Sequence, residues 1–133
     1  MKESKRIVKC RCQIITKIFL VDDNRDLLEL FSIVLKFAGH QILATAIDGQ
    51  KAIEAFKKLE DQPDIILMDF RMPEKDGLEA TKEILQISPN IKIFFLSADS
   101  SIKNKALEIG AVGFAEKPVH KNKLLEIIQN YSS

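Results

Sequence analysis

The sequence contains little cysteine, which limits the redox and metal chemistry open to it. Its two cysteines, Cys10 and Cys12, form a Cys-x-Cys pair, a spacing that rarely closes a disulfide. A zinc site would need further ligands, and the chain offers no other cysteine and only His40 and His120. We therefore predict free thiols in a reducing environment, and we interpret both histidines as ordinary surface residues near helix ends.

Long hydrophobic runs are also missing. No apolar stretch approaches the roughly 20 residues that a transmembrane helix requires. The N-terminus is basic, but Arg11 interrupts the apolar residues between Val8 and Ile15, so no signal-peptide core follows. We expect a cytoplasmic protein that does not contact a membrane.

Neither sign of charge dominates the chain, whose formal net charge is +1, but the charge is unevenly distributed. Residues 1–17 hold six Lys or Arg residues against one acid, Glu3, so the remainder is acidic overall. We expect residues 1–16 to form a basic extension and residues 17–133 to form one domain. The alternation of Val8, Cys10, Cys12 and Ile14 with polar residues fits either a short edge strand or a mobile arm.

From residue 17 onward, apolar strand patterns and amphipathic helix patterns alternate five times. This alternation is typical of an α/β fold with a parallel sheet and helices on both faces. The sequence predicts five strands and, after each, one helix: strands Lys17–Val21, Gln41–Ala46, Ile65–Met68, Ile91–Leu96 and Ala111–Ala115, and helices Arg25–Ala38, Gln50–Leu59, Leu78–Ile87, Asp99–Ile109 and Lys121–Gln129.

Polar residues follow four of these strands, and the carboxyl ends of parallel strands meet at one edge of a sheet. Asp22 and Asp23 follow the first strand, Asp69 the third, Ser97 the fourth and Lys117 the fifth. Three crowded carboxylates favour a hard divalent cation such as Mg²⁺. An ionised Asp69 can attack a phosphoryl group, while Lys117 and Ser97 can bind its oxygens. The sequence thus predicts a phosphoryl-transfer site.

These motifs, in this order and at this spacing, resemble the receiver domain of two-component response regulators. The resemblance covers residues 17–130 and implies a doubly wound, flavodoxin-like sheet in the order 2-1-3-4-5. It rests on four segments: Val21-Asp22-Asp23-Asn24, Met68-Asp69-Phe70-Arg71-Met72-Pro73-Glu74-Lys75-Asp76-Gly77, Leu96-Ser97-Ala98 and Phe114-Ala115-Glu116-Lys117-Pro118.

The resemblance implies a role for each residue of the site. Asp69 would accept the phosphoryl group, Asp23 would ligate Mg²⁺ directly, and Asp22 would act mostly through water. The backbone carbonyl of Arg71 would complete the protein ligands. The phosphoryl oxygens would be bound by two further side chains, Ser97 and Lys117.

The resemblance also implies a conformational switch. Ser97 and Phe114 would move toward the site after phosphorylation, and because Phe114 has no hydroxyl, its movement would depend on packing alone. Arg71 and Asp99 occupy positions that tune dephosphorylation in this family, and the Lys117-Pro118 bond is often cis there. We interpret Asp76-Gly77 as a structural turn.

The implied function is that of a stand-alone response regulator. A histidine kinase or histidine phosphotransfer protein would donate the phosphoryl group, and a downstream protein would bind the face formed by the fourth helix, fifth strand and fifth helix, roughly residues 99–130. We expect no direct contact with nucleic acid, and a monomer or a weak phosphorylation-dependent dimer. Its only chemistry would be phosphorylation from a donor and slow autodephosphorylation.

Three alternatives remain open from the sequence. One is an intermediate of a phosphorelay. Another is a phosphatase of the haloacid dehalogenase type, although such enzymes carry an aspartate two residues after the nucleophile, where this chain has Arg71. The third is a flavin or nucleotide module, although the acidic loop Asp22-Asp23-Asn24 would repel phosphate in the absence of a metal.

Overall fold

The computed structural model describes residues 15–131, which form one layer of sheet between two layers of helices. The predicted edge strand or arm, with Cys10 and Cys12, lies outside these residues apart from Ile15 and Thr16, which are in no strand. The strands of the described region are β1 (Lys17–Val21), β2 (Gln41–Ala46), β3 (Ile65–Met68), β4 (Ile93–Ser97) and β5 (Gly113–Glu116). The helices are α1 (Arg25–Phe37), α2 (Gly49–Lys58), α3 (Gly77–Ile87), α4 (Lys103–Glu108) and α5 (Lys121–Tyr131).

The sheet is parallel throughout, with the strand order β2-β1-β3-β4-β5. The predicted doubly wound order 2-1-3-4-5 is therefore confirmed. β3 is the central strand, flanked by β1 and β4, and all four of its residues are buried. Central parallel strands are covered on both faces, which explains why Ile65–Met68 reads as a continuous apolar run rather than as an alternating one.

Side chains alternate along each strand and divide the core into two clusters. Ile18 and Leu20 of β1 point toward α1 and α5, where they pack with Leu35 and Leu124. The intervening residues, such as Phe19, point toward the other face and pack with residues of α2, α3 and α4. Both faces of the sheet are therefore filled by helices, as the alternation of strand and helix predicted.

Polar caps set the starts of the helices that leave the functional edge of the sheet. The side chain of Asn24 accepts a hydrogen bond from the N–H of Leu27 and begins α1, which starts at Arg25 as predicted. Asp76 begins α3 with a capping box, in which it accepts from the N–H of Glu79 while Glu79 accepts from the N–H of Asp76. The loops that precede these helices are therefore held in defined positions.

The fourth helix differs from the sequence prediction. A single helix over Asp99–Ile109 was expected, but the chain forms a 3₁₀ turn at Ser100–Ile102 and only then enters α4 at Lys103. The cause is local: Asp99 accepts hydrogen bonds from both the N–H and the hydroxyl of Ser101, which caps a tight turn. The strands Lys17–Val21, Gln41–Ala46 and Ile65–Met68 have the predicted boundaries, and the boundaries of the other elements, α4 aside, differ from the prediction by at most two residues.

None of the helices within residues 15–131 combines the length and apolar character that a membrane span requires.

Candidate functional site

Two adjacent carboxylates stand at the end of β1, and they differ in exposure. Asp22 is buried, donates its N–H to the carbonyl of Ala46 at 3.0 Å, and accepts the N–H of Asn24 at 2.9 Å. Asp23, the next residue, is exposed. The first carboxylate is thus tied to the backbone around it, while the second faces the solvent at the rim of the sheet.

Asp69 follows β3 and continues its pairing with the neighbouring strand. Its N–H donates to the carbonyl of Val21 at 3.0 Å, so its backbone is fixed in the sheet. One carboxylate oxygen accepts the N–H of Phe70 at 2.8 Å, and the residue is only 7% exposed. The side chain is therefore oriented by its own loop and largely shielded from water.

The loop after Asp69 returns to the backbone of that residue. The N–H of Gly77 donates to the carbonyl of Phe70 at 2.8 Å. A Cβ atom at position 77 would lie 2.0 Å from the carbonyl oxygen of Asp69, so no side chain fits there. The predicted structural role of Asp76-Gly77 is confirmed, and the close approach adds that Gly77 allows the loop to pack directly on the residue expected to react.

Lys117 and Ser97 complete the edge from the other half of the sheet. The N–H of Lys117 donates to the carbonyl of Ser97 at 3.0 Å, and its ammonium lies 2.5 Å from a carboxylate oxygen of Asp22 and 3.5 Å from one of Asp69. Ser97 is buried, and its hydroxyl oxygen accepts the N–H of Asp99 at 3.1 Å. The hydroxyl proton of Ser97 is left for another acceptor. The side chains that the sequence placed at this edge thus converge in space.

Burial and the crowding of like charges together set the electrostatics of the site. Carboxylate oxygens of Asp22, Asp23 and Asp69 lie within 4.8 Å of one another. Burial, the charge of Asp22 and, to a smaller extent, that of Asp23 raise the pKa of Asp69 from 3.8 to about 6, against the opposing effects of Lys117 and the Phe70 N–H. Oxygen ligands at this density fit a hard divalent cation, which would relieve the repulsion that one lysine leaves.

An open cleft of about 460 Å³ gives access to these groups and is lined by Asp23, Asp69, Arg71, Ser97, Ala98, Asp99 and Lys117. Arg71 and Asp99 join its two sides, because the guanidinium lies 2.8 Å from the Asp99 carboxylate. The hydrogen bonds from Ser101, together with this guanidinium, lower the pKa of Asp99 below its ordinary value. Both residues stand out in the sequence, but their pairing could not be predicted from it, since 28 positions separate them.

Phe114 and Ser97 lie on the same face of the sheet. In the parallel register Phe114 of β5 pairs with Phe95 of β4, and Glu116 pairs with Ser97. Phe95 and Ser97 are two positions apart on one strand, so their side chains and that of Phe114 point to the same face. Phe114 is half-buried against the cluster that includes Ile102 of the 3₁₀ turn. This arrangement places the predicted switch residues next to the segment that joins β4 and α4.

Two further predictions concern residues outside the carboxylate cluster. The Lys117-Pro118 bond is cis, as the resemblance implied. His120 is exposed, but His40 is not an ordinary surface residue: its Nδ1 accepts the N–H of Thr16 at 3.2 Å, and burial lowers its pKa. The prediction for His40 was wrong because the environment of this side chain depends on a contact with a distant part of the chain. The residues around position 40 do not indicate that contact.

Comparison with known proteins places this constellation in a family. Residues 18–129 match the response regulator receiver domain. The chain is 33% identical over 118 residues to the chemotaxis protein CheY of Thermotoga maritima, an alignment that covers 87% of this chain and 97% of that protein. It is 36% identical to CheY of Bacillus subtilis over 114 residues, covering 84% and 93% of the two chains.

The solved structures agree with the sequence comparisons. A CheY chain in a complex with CheX, BeF₃ and Mg²⁺ from Borrelia burgdorferi aligns with a TM-score of 0.82 at 25% identity, covering 89% of this chain and 90% of that one. The fold, the matched residues and the relatives all lead to the same assignment. The chain therefore belongs to the response regulator receiver domain family of two-component signalling.

Proposed function

We propose that this chain is a CheY-like receiver that accepts one phosphoryl group on Asp69. The observation that carries the proposal is the convergence of three carboxylates and one lysine at a single edge of the sheet, with Asp69 buried and held by the N–H of Phe70. Such an edge binds a cation and a phosphoryl group, whose charges complement those of the side chains.

Each side chain has a defined task in the transfer. A carboxylate oxygen of Asp69 forms a bond to phosphorus while the bond from phosphorus to the donor nitrogen breaks, and the imidazole of the donor keeps the electron pair and takes up a proton. The ammonium of Lys117 lies near the attacking oxygen and neutralises the developing charge. The hydroxyl of Ser97 donates a hydrogen bond to a phosphoryl oxygen.

We assign the metal site to the acidic cluster of Asp22, Asp23 and Asp69, together with the backbone carbonyl of Arg71. When bound there, Mg²⁺ supplies positive charge that stabilises the phosphoryl oxygens. Asp23 is the exposed member of the cluster and is the side chain proposed to bind the ion directly, whereas Asp22 is already engaged by Lys117. The raised pKa of Asp69 supports the assignment, since burial and the charge of Asp22 both disfavour the ionised carboxylate that a bound cation would stabilise.

The switch that follows phosphorylation involves β4 and β5, which carry Ser97 and Phe114. Ser97 moves toward the phosphoryl group, and Phe114 follows on the same face of the sheet, where it packs beside Phe95. The surface that changes comprises α4, β5 and α5, and we assign it to a downstream protein. The Borrelia CheY structure contains CheX, so a protein partner is known for that relative.

The phosphoryl donor is a histidine kinase or a histidine phosphotransfer protein. The chain then acts either as a terminal regulator or as a relay intermediate. The pairing of Arg71 with Asp99 supports a signalling role over a phosphatase role, because Arg71 occupies the position where the dehalogenase-type phosphatases carry their acid. Similarity to CheY proteins over nearly their full length favours a terminal, protein-binding output.

Incubation with acetyl phosphate and Mg²⁺, followed by intact-mass spectrometry, tests the proposal. We expect the wild type to gain the mass of one phosphoryl group, and Asp69→Asn to gain none. Asp64→Asn is the matched control, since Asp64 is a carboxylate at the opposite edge of the sheet. An unchanged wild-type mass, or labelling that survives in Asp69→Asn, would overturn the assignment.

A further inference from the structure

The outward side of α1 carries an apolar stripe that the core does not use. Leu30, Ile33 and Phe37 are 53%, 59% and 93% exposed. Their spacing of three and four residues places them on one side of the helix. The core takes Leu28 and Leu35 from the other side. Single exposed apolar residues are common, but three neighbours over two turns of one helix indicate a surface that a partner covers.

Two opposite charges lie along one flank of this stripe. Glu29 and Lys36 are exposed and seven positions apart, so they lie on the same side of the helix, nearly two turns from each other. Leu30 and Phe37, also seven positions apart, form the other flank, and Ile33 lies between the two flanks. The salt bridges among residues 15–131 include neither Glu29 nor Lys36. A partner that offers the same two charges in reverse order would pair with both.

A second copy of this chain offers that order. When two identical helices pack antiparallel about a two-fold axis, equivalent flanks meet and the start of one helix lies beside the end of the other. With the axis at Ile33, Leu30 of one copy lies beside Phe37 of the other. Glu29 of one copy then lies beside Lys36 of the other, and each contact occurs twice. A parallel pair would instead bring like charges together.

The position of the stripe favours a second copy over a phosphoryl donor. α1 begins two residues after Asp23 and runs toward the opposite edge of the sheet, where β2 starts. Phe37, the most exposed residue of the stripe, ends the helix about 18 Å from Arg25 at 1.5 Å per residue. A donor at Asp69 approaches the other end of the helix, so the widest part of the stripe lies far from the transfer reaction.

The expected size of the contact fits a weak dimer. Phe37 buries roughly 150–250 Å² when a partner covers it. Three apolar side chains and two ions from each copy give a contact on the order of 1,000 Å² in total, which is near the lower limit for a specific interface. We therefore expect association at micromolar or higher concentrations.

We propose that this chain forms an antiparallel, two-fold symmetric dimer through α1, with Ile33 on the axis. Leu30 and Phe37 form its apolar contact, and Glu29 and Lys36 form its two ion pairs. None of the residues that line the phosphoryl cleft lies on α1, so the cleft of each copy stays open. The dimer does not depend on the phosphorylation of Asp69 and does not use the face formed by α4, β5 and α5.

Sedimentation equilibrium of the unphosphorylated chain, from micromolar to submillimolar concentration, tests the surface. The wild type and Asp69→Asn should show the same monomer–dimer equilibrium. Ile33→Ser with Phe37→Ser should raise the dissociation constant by about tenfold or more, because both copies lose central apolar contacts. Ile87→Ser, at a similarly exposed apolar residue on α3, is the matched control and should change nothing. A monomeric wild type would overturn the proposal and leave the stripe to a different protein, and a dimer insensitive to the stripe substitutions would also overturn it.

A charge swap tests the order of the two helices. Glu29→Lys and Lys36→Glu should each weaken the dimer by a smaller factor, because each brings like charges together. The double variant should restore the wild-type dissociation constant. Lys57→Glu, on the exposed side of α2, is the control and should leave it unchanged. A double variant as weak as the two single ones would contradict the antiparallel pairing.

Disulfide cross-linking tests the position of the axis. In a background of Cys10→Ser and Cys12→Ser, Ile33→Cys should cross-link two copies rapidly under oxidation, because position 33 faces itself across the axis. Asp26→Cys should cross-link slowly, since its two copies would lie about 20 Å apart along the helices. Equal rates at the two positions would overturn the proposed geometry. Far-UV circular dichroism confirms that each variant remains folded.

Discussion

The carboxylates at the two ends of the sheet differ in how well they are matched by hydrogen-bond donors and positive charges. At the amino end, Asp64 and Lys17 exchange backbone hydrogen bonds: the Asp64 carboxylate accepts the N–H of Lys17 at 2.8 Å, and the Lys17 carbonyl accepts the N–H of Asp64 at 2.7 Å. At the carboxyl end, Asp22, Asp23 and Asp69 crowd together, and the ammonium of Lys117 contacts the carboxylates of Asp22 and Asp69.

This difference separates a structural role from a functional one for the same type of residue. A carboxylate that is matched with a donor satisfies the backbone and fixes the start of a strand. Carboxylates that are buried close to one another are costly to ionise, and burial together with the charge of Asp22 raises the pKa of Asp69. The folded chain tolerates this cost where a cation and a phosphoryl group are expected to bind.

The largest effect is expected from replacing Lys117, because this removes the ammonium that pairs with Asp22 and Asp69 at the crowded end. Lys117→Ala should slow phosphorylation by acetyl phosphate by about 10²–10³-fold, because a positioned donor to the developing charge is lost. Lys75→Ala is the control, since Lys75 also forms an ion pair, with Glu83, but outside the cluster. Equal rates for the two variants, measured by intact mass against time, would contradict the role of Lys117.

The next largest effect is expected from Mg²⁺, which should stabilise the protein by binding the carboxylates at the carboxyl end of the sheet. At ten times its dissociation constant, Mg²⁺ should add about 1.4 kcal/mol to the free energy of unfolding and raise the Tm by about 2–6 °C. Asp69→Asn should reduce this increase and Asp64→Asn should leave it intact. Thermal denaturation followed by circular dichroism checks this, and an equal response of all three proteins would place the cation elsewhere.

Removal of the crowding itself should stabilise the metal-free protein at neutral pH. The pKa of Asp69 is higher in the folded state than its ordinary value of 3.8, so folding binds a proton between about pH 4 and 6. The stability that this proton provides is present at low pH and is lost as the pH rises through 6. At pH 7, Asp69→Asn should therefore be more stable than the wild type by about 1–2 kcal/mol, after allowance for solvent screening.

The pH dependence distinguishes this explanation from a general effect of the substitution. The stability difference between Asp69→Asn and the wild type should shrink as the pH is lowered and vanish near pH 4. Urea denaturation at several pH values provides the measurement. A difference that stays constant with pH would mean that the charge of Asp69 is not its source.

The smallest effect is expected at the matched end of the sheet. Asp64→Ala removes the acceptor of the Lys17 N–H and should cost about 1 kcal/mol of stability, the contribution of one backbone hydrogen bond. Phosphorylation and the response to Mg²⁺ should not change, because Asp64 lies at the opposite edge from Asp69. Loss of phosphorylation in a folded Asp64→Ala protein would contradict the claim that the amino end of the sheet has only a structural role.

Much of the functional edge could be predicted from the sequence, because its residues directly follow strands that can be recognised from local patterns. Asp69 follows a run of four buried apolar residues, and parallel strands deliver the residues after them to one edge. The strand order itself came from the resemblance to receiver domains rather than from strand and helix patterns. The caps at Asn24 and Asp76 could also be found from the sequence, since the start of a helix depends on neighbouring residues.

The features that the sequence did not predict are of two kinds. Some join parts of the chain that are far apart, and one results from competition between two local structures over a few residues. The pairing of Arg71 with Asp99 and the contact of His40 with Thr16 exist only after the strands are assembled. The 3₁₀ turn before α4 arises because the side chain of Asp99 competes with a helix start, an outcome that apolar spacing does not reveal.

The central claim is that the crowded end of the sheet receives the phosphoryl group on Asp69 itself. The most direct test phosphorylates the protein with acetyl phosphate and Mg²⁺, reduces the acyl phosphate with borohydride, and locates the modified residue by peptide mass spectrometry. The account predicts homoserine at position 69 and unmodified aspartate at positions 22, 23 and 64. Modification at any of those three positions, with Asp69 unchanged, would contradict it.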